Sequence, residues 1–192
     1  MNRRKFLKVM GGAGLVAPGL IGASSCRPQI FTADPSTGLS LGYVSGDVRA
    51  DSALVWLKAE AGSKVGLQYG HEPGLGQFHI IPARSVDAGA DYSTIFSLDG
   101  LAPATRYYYR GFVEGRMAGP IASFVTAPPA DDNAKITFCF SGDTRQGYKP
   151  FTVMDAVRAQ RPNFFLHLGD TIYADRNGAA HTLEEFWDKY RI

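Results

Sequence analysis

Between Leu39 and about Thr126, apolar and polar positions alternate in short runs cut by Gly, Pro, Asp and Ser. Seven runs read as strands: Leu39–Val44, Ser52–Leu57, Lys64–Tyr69, Gln77–Ala83, Tyr92–Leu98, Arg106–Val113 and Ile121–Thr126. Segments of this length, with no helical period between them, predict a β-sandwich. Trp56, on an early strand, is expected inside it. A Pro- and Asp-rich stretch, "TAPPADDNA" from Thr126 to Ala134, reads as a linker. Beyond it the period changes. "KITFCFSGD" is an apolar strand closing on Gly142-Asp143, and "KPFTVMDAVRAQ" has Phe151, Met154 and Val157 spaced for one helical face, with Pro150 suited to the first turn. Pro162 ends that helix and "NFFLHLGD" is the next strand, so the two strands should be parallel neighbours joined by a crossover. Near the end, Thr182 with Glu185 forms a capping box, and Leu183, Phe186, Trp187 and Tyr190 make one apolar helix face.

Within the sandwich the stretch "LDGLAPATRYYYRGFVEG" is the sharpest local signal. Leu101, Pro103, Thr105 and Tyr107 resemble the fibronectin type III pattern, in which a tyrosine corner pins a strand to the preceding turn. Three consecutive tyrosines invite a ligand-platform reading. Strand alternation gives the simpler one, with Tyr107 and Tyr109 on one face and Tyr108 on the other. His71 and His79 have no partner at a metal-ligand spacing and read as surface or turn residues.

Charge changes the picture only at the N-terminus. Of 20 Lys and Arg, four (Arg3, Arg4, Lys5, Lys8) precede Cys26, leaving 16 against 18 Asp and Glu. No basic cluster remains to suggest nucleic acid. The first 26 residues have a basic start, a Gly/Ala-rich apolar stretch and small residues before Cys26, which is the layout of an export signal. The apolar stretch is too short for a membrane span. Its "NRRKFLK" run resembles a twin-arginine signal, which implies the twin-arginine export machinery as a partner and a destination in the periplasm, at the cell surface or outside the cell. Cys26 is a candidate lipid anchor, although Ala23 stands where a lipobox usually has a larger aliphatic residue. Cys139, the other cysteine, falls in a strand pattern and reads as a small buried hydrophobe.

The candidate chemistry lies where both later strands end on Gly-Asp. Ligands of open α/β sheets bind beyond the carboxyl ends of the strands, so Asp143 and Asp170 fall at that edge. Neighbouring strands are ~4.8 Å apart and two-metal sites hold their ions ~3.5–4 Å apart, so strand-end acids match that scale. Two acids this close repel unless a cation or proton stands between them. A lone Gly-Asp pair is as well explained by a turn. The repeat of the pair across one crossover, with Tyr173 three residues after Asp170, favours a metal site. A phenolate at neutral pH needs a strong Lewis acid such as trivalent iron.

"GDTR" followed by "GDTIYAD" resembles the GD…GDxxY pattern of the dinuclear metallophosphoesterases. With a sandwich ahead of it and a twin-arginine leader, the chain is similar to the alkaline phosphatase D family, whose relatives in motif include the purple acid phosphatases. The resemblance implies residues 1–26 as export signal, 36–127 as a fibronectin type III-like β-sandwich, 128–134 as linker and 135–192 as the start of a metallophosphoesterase α/β domain. It also implies a dinuclear centre of iron(III) with a divalent ion, calcium foremost and manganese, zinc or magnesium as alternatives. That centre would hydrolyse phosphate mono- or diesters with a metal-bound hydroxide. By position, Asp143 and Tyr173 would bind the iron and Asp170 would bridge both ions. The better-known branch of that family has "SC" where this chain has "GD", so a carboxylate replaces a thiolate and the site is harder. Arg145 stands where many such enzymes have a histidine. It cannot ligate a metal, but its planar fork can contact phosphate. His167 is read as packed beneath the site, and His167 with His181 cannot replace the Asn- or Asp-bearing His-Glu motif and late histidines of the family. On this reading the chain is the N-terminal portion of a phosphatase and inactive by itself. Two alternatives stand beside it: an exported β-sandwich binding module with a residual catalytic piece, and a cytoplasmic nucleotide-binding protein, which the leader and the lack of a Gly-rich phosphate loop disfavour.

Overall fold

The computed structural model describes residues 38–40, 42–144, 148 and 150–191. The leader with Cys26, and Arg145, lie outside the described residues. Among the described residues, nine strands and two α-helices follow in order: β1 (Gly42–Gly46), β2 (Ser52–Lys58), β3 (Lys64–Gly70), β4 (His79–Ser85), β5 (Ser93–Asp99), β6 (Arg106–Val113), β7 (Arg116–Val125), β8 (Phe138–Ser141), α1 (Val153–Ala159), β9 (Phe164–His167) and α2 (Leu183–Arg191). The first seven form two antiparallel sheets, β1-β2-β5 and β4-β3-β6-β7. Inward-facing alternate residues of both sheets make the core: Val55 and Leu57 of β2, Val65 and Leu67 of β3, Phe96 and Leu98 of β5, and Tyr107 and Tyr109 of β6. This is the expected β-sandwich, and its buried apolar cluster lies wholly before the linker.

The tyrosine corner is present. Tyr107 is 4 % exposed, and its Oη accepts the backbone N–H of Ala102 at 2.8 Å. Thr126 completes the corner: its hydroxyl donates to the Ala102 carbonyl at 2.7 Å and accepts the Thr105 N–H at 2.9 Å. Tyr108 points the other way and is half-buried.

Three expectations need correction. Trp56 is only half-buried and lies on the outer face of its sheet, paired with the exposed Val44 and Ile95. Its strand is apolar on both faces, and Val55 and Leu57 win the inner one because they meet the second sheet. The last sandwich strand begins at Arg116 rather than Ile121, since Glu114 and Gly115 (φ 49° and 76°) close a two-residue hairpin directly after β6. Gly119 and Pro120, just before the expected start, are carried by a register shift in the pairing of β6 with β7. The first helix starts at Val153, after turns in which the Thr152, Met154 and Asp155 N–H groups reach back two or three residues. Met154 and Val157 of the helix, and Phe151 just before it, are half-buried.

After the linker, β8 and β9 pair in parallel, with Phe138 opposite Phe164 and Ser141 opposite His167. One face of this small sheet is open. Phe138 stacks on Phe164 with ring centroids 5.2 Å apart, yet both are about half exposed, as are Phe140 and Leu166. Cys139, on the other face, is half-buried instead of enclosed, because a two-stranded sheet carries too little cover. In α2, Leu183, Phe186 and Tyr190 are exposed, and the capping box forms: Glu185 accepts the Thr182 N–H at 2.9 Å and its own N–H donates to the Thr182 hydroxyl at 3.3 Å. No helix among the described residues is long and apolar enough to cross a membrane.

An ion cluster joins the far end of α2 to the sandwich. Asp91, in a left-handed turn before β5, takes the ammonium of the buried Lys58 and the guanidinium of Arg191. Burial alone would push the Asp91 carboxyl up. The hydrogen bonds from Arg191 and Lys58 outweigh that and hold it below the ordinary carboxylate range.

Two stability measurements follow from these contacts. Tyr107→Phe leaves a backbone N–H without its acceptor and should cost about 1–2 kcal/mol in urea unfolding, whereas Tyr108→Phe should stay within about 0.5 kcal/mol. Asp91→Asn leaves the buried Lys58 ammonium with the Asp91 backbone carbonyl but no counter-charge and should cost about 3 kcal/mol at pH 7. Because the native Asp91 pKa is depressed, its contribution is complete above the unfolded value of ~3.9 and fades as pH falls through the native value. The gap between wild type and Asp91→Asn should therefore narrow in acid, and a gap independent of pH would contradict the ion-pair assignment.

Candidate metal centre

The two Gly-Asp pairs repeat at an interval of 27 residues, but the strands carrying them pair at an offset of 26. The second pair therefore stands one residue further out from the sheet. The backbone knits this stagger together: the Leu168 N–H donates to the Ser141 carbonyl at 2.8 Å and the Asp143 N–H to the Gly169 carbonyl at 3.2 Å. Asp143 (φ 57°) and Asp170 (φ 53°) both adopt the left-handed conformation, and Gly169 has φ 112°. An L-residue held there costs roughly 1–2 kcal/mol, and such strain tends to gather where function requires it.

Tyr173 crosses from the second loop to the first. Its hydroxyl donates to Asp143 Oδ1 at 3.0 Å, so the phenol meets the acid of the other strand. That hydrogen bond is the main reason the Tyr173 pKa lies above the ordinary phenol value; some desolvation and the charges of Asp143 and Asp170 add to it, and Arg176 opposes them. The Arg176 guanidinium lies over the Tyr173 ring, 5.3 Å from its centroid. Asp143 and Asp170 are exposed and Tyr173 half-buried.

The loop after Tyr173 is held by Lys189, a residue that no sequence pattern singled out. Its ammonium is buried and donates to the carbonyls of Arg176 and Gly178, both at 2.6 Å, and of Asn177 at 3.3 Å. The Thr171 and Tyr190 hydroxyls, 3.2 Å apart, add a second tie between this loop and α2. His167, expected beneath the site, is half-buried and bonded to both turns: its Nε2 is 2.9 Å from Thr144 Oγ1 and its Nδ1 accepts the Gly169 N–H at 3.2 Å. Thr144 was not foreseen either, and only the Gly-Asp-Thr run could have pointed to it. His181 instead gives its N–H to Glu185 at the start of α2. His71 and His79 are exposed on the sandwich, beside Tyr107 and Tyr69.

Among the described residues, no three His, Cys, Asp or Glu side chains gather closely enough to hold an ion. The set the structure brings together is Asp143, Asp170 and the phenol of Tyr173. All three are hard oxygen donors, which suits a hard, highly charged cation. They are fewer than two ions need.

A sandwich feeding a parallel strand pair with acids at its carboxyl ends is a two-part layout, and comparison with known proteins gives the family. The chain belongs to the PhoD-like phosphatases: residues 25–128 match the model of that family's N-terminal domain. The solved structure of PhoD is 19% identical, with a TM-score of 0.71 over 85% of this chain and 36% of that one. At that identity the likeness concerns fold, and this chain spans about a third of the solved one. More distant are a sensor domain of the anti-sigma factor RsgI4 of Pseudobacteroides cellulosolvens (15% identical, 45% of this chain and 92% of that chain, TM-score 0.39) and the fn3 domain of human contactin 1 (15% identical, 60% and 99%, TM-score 0.37). Among curated proteins none matches at a significant level.

The bond between Tyr173 and Asp143 can be read directly in solution. Asp143→Asn should lower the alkaline midpoint of Tyr173, followed by NMR at the ζ carbon of labelled tyrosine. An unchanged midpoint would mean the two side chains do not meet.

Proposed function

We propose that this chain is part of an exported metal-dependent phosphatase or phosphodiesterase, with Asp143, Asp170 and Tyr173 as its share of a dinuclear centre. The observation that carries the reading is the Tyr173–Asp143 contact across two parallel strand ends, with Asp170 on the same edge, in a chain of the PhoD-like phosphatase family. Asp143 and Tyr173 would hold iron(III), and Asp170 would reach both it and a divalent ion, calcium foremost. When bound, the two cations would neutralise phosphoryl oxygens and supply a nucleophile at neutral pH. The chain's own residues fix the ligands. The left-handed turns set where the two carboxylates start, Lys189 holds the loop of Tyr173, and Arg176 supports the phenolate form through its charge above the ring. Arg145 would steady a phosphate oxygen with its fork. The twin-arginine-like leader would deliver the folded protein out of the cytoplasm, and Cys26 is the candidate site of a lipid anchor.

A second reading has one observation in its favour: the buried apolar cluster is confined to the sandwich, as a free-standing exported binding module would require. The two are separated by a chain extended through the remainder of the α/β domain. On the phosphatase reading it carries iron by elemental analysis and hydrolyses p-nitrophenyl phosphate, and Asp170→Asn lowers kcat/KM by about a thousandfold, corresponding to the several kcal/mol a bridging ligand helps supply. Hydrolysis without metal, or unaffected by Asp170→Asn, would remove the proposed site.

A further inference from the structure

His167 lies on β9 opposite Ser141, and its ring bonds to each of the two Gly-Asp turns. Nδ1 accepts the N–H of Gly169, the residue before Asp170. With Nδ1 accepting, the proton is on Nε2, which donates to the hydroxyl of Thr144, the residue after Asp143. The two bonds use both ring nitrogens and define one tautomer. The ring of Phe165 meets the imidazole edge-on, with centroids 6.3 Å apart. We propose that His167 is a positioning residue that clamps the Asp143 and Asp170 turns to one another and so fixes the spacing of the two carboxylates.

The need for a clamp follows from the geometry. Both aspartates sit in left-handed backbone, and two like charges on neighbouring turns push apart. Among the described residues, the backbone ties beyond the strand pairing are the Leu168 N–H to the Ser141 carbonyl at 2.8 Å and, between the turns that carry the acids, the Asp143 N–H to the Gly169 carbonyl at 3.2 Å. A ligand pair that drifts by a fraction of an ångström loses its preorganisation. His167 adds a tie on the side-chain level, without itself occupying a ligand position. This inference rests on the phosphatase reading for its purpose, while the clamp itself concerns the metal-free chain.

The test uses the full 192-residue chain and reads two properties. The first is amide exchange of Gly169 by NMR without metal. His167→Ala should abolish its protection, and His167→Asn, whose side-chain oxygen stands near the place of Nδ1, should restore it. The second is binding of iron(III) supplied as citrate. It should weaken about tenfold in His167→Ala and in Thr144→Val, the range typical of a lost hydrogen-bond partner behind the ligands. Thr144→Val and His167→Asn keep the test decisive if His167→Ala does not fold. Unchanged Gly169 protection in His167→Ala, or iron binding equal to wild type in both His167→Ala and Thr144→Val, overturns the proposal. Where the wild type itself takes up no iron, Gly169 protection alone decides the clamp, and the iron content of the extended chain decides the phosphatase reading.

Discussion

Parallel strands cannot be joined by a tight turn. They are brought side by side only by a crossover, and their carboxyl ends then open at the same edge. In this chain the crossover is the segment containing α1, and the pairing it enforces sets Ser141 against His167. Everything at the candidate centre descends from that register. The offset of one residue between pairing and motif staggers the two turns, the stagger lets the Asp143 amide reach the Gly169 carbonyl, and the same stagger brings Tyr173 to Asp143. A slip by one residue would turn His167 to the other face of the sheet and separate it from Thr144.

The two halves of the molecule are stabilised differently. The sandwich has a closed apolar core and a corner in which Tyr107 and Thr126 satisfy the turn's backbone groups. The later half relies on polar ties: Lys189 on three carbonyls, the Thr182–Glu185 box, and the Lys58–Asp91–Arg191 cluster that reaches back to the sandwich. Its apolar residues, such as Phe140 and Leu166, remain open on one face. Parallel sheets are normally covered on both faces, so these residues mark where further packing belongs.

Much of the fold could be read from the sequence because alternation is a local property. β6 follows its predicted bounds, since Tyr107, Tyr109, Gly111 and Val113 repeat at a period of two. The errors arise where the local pattern is ambiguous. Trp56 and Val55 are both apolar, and only the neighbouring sheet decides which is enclosed. The local pattern starts the last strand at Ile121, and only the partner strand shows that a register shift carries it across Gly119-Pro120. At the site, the Gly-Asp repeat and Tyr173 were visible as residue types. The contact between Tyr173 and Asp143, the reach of Lys189 and the two bonds of His167 depend on register and loop path, which no short window of sequence contains.

The hydrogen on the Tyr173 hydroxyl has a consequence for assembly. It bridges the phenol to Asp143, lying between two oxygens that a cation would share on the proposed reading. On the proposed reading, proton and metal compete for that seat, and each loading event releases acid. Acid conditions would then refill the seat with hydrogen, so the pH of the compartment in which the protein meets its metal would govern whether the centre is built at all.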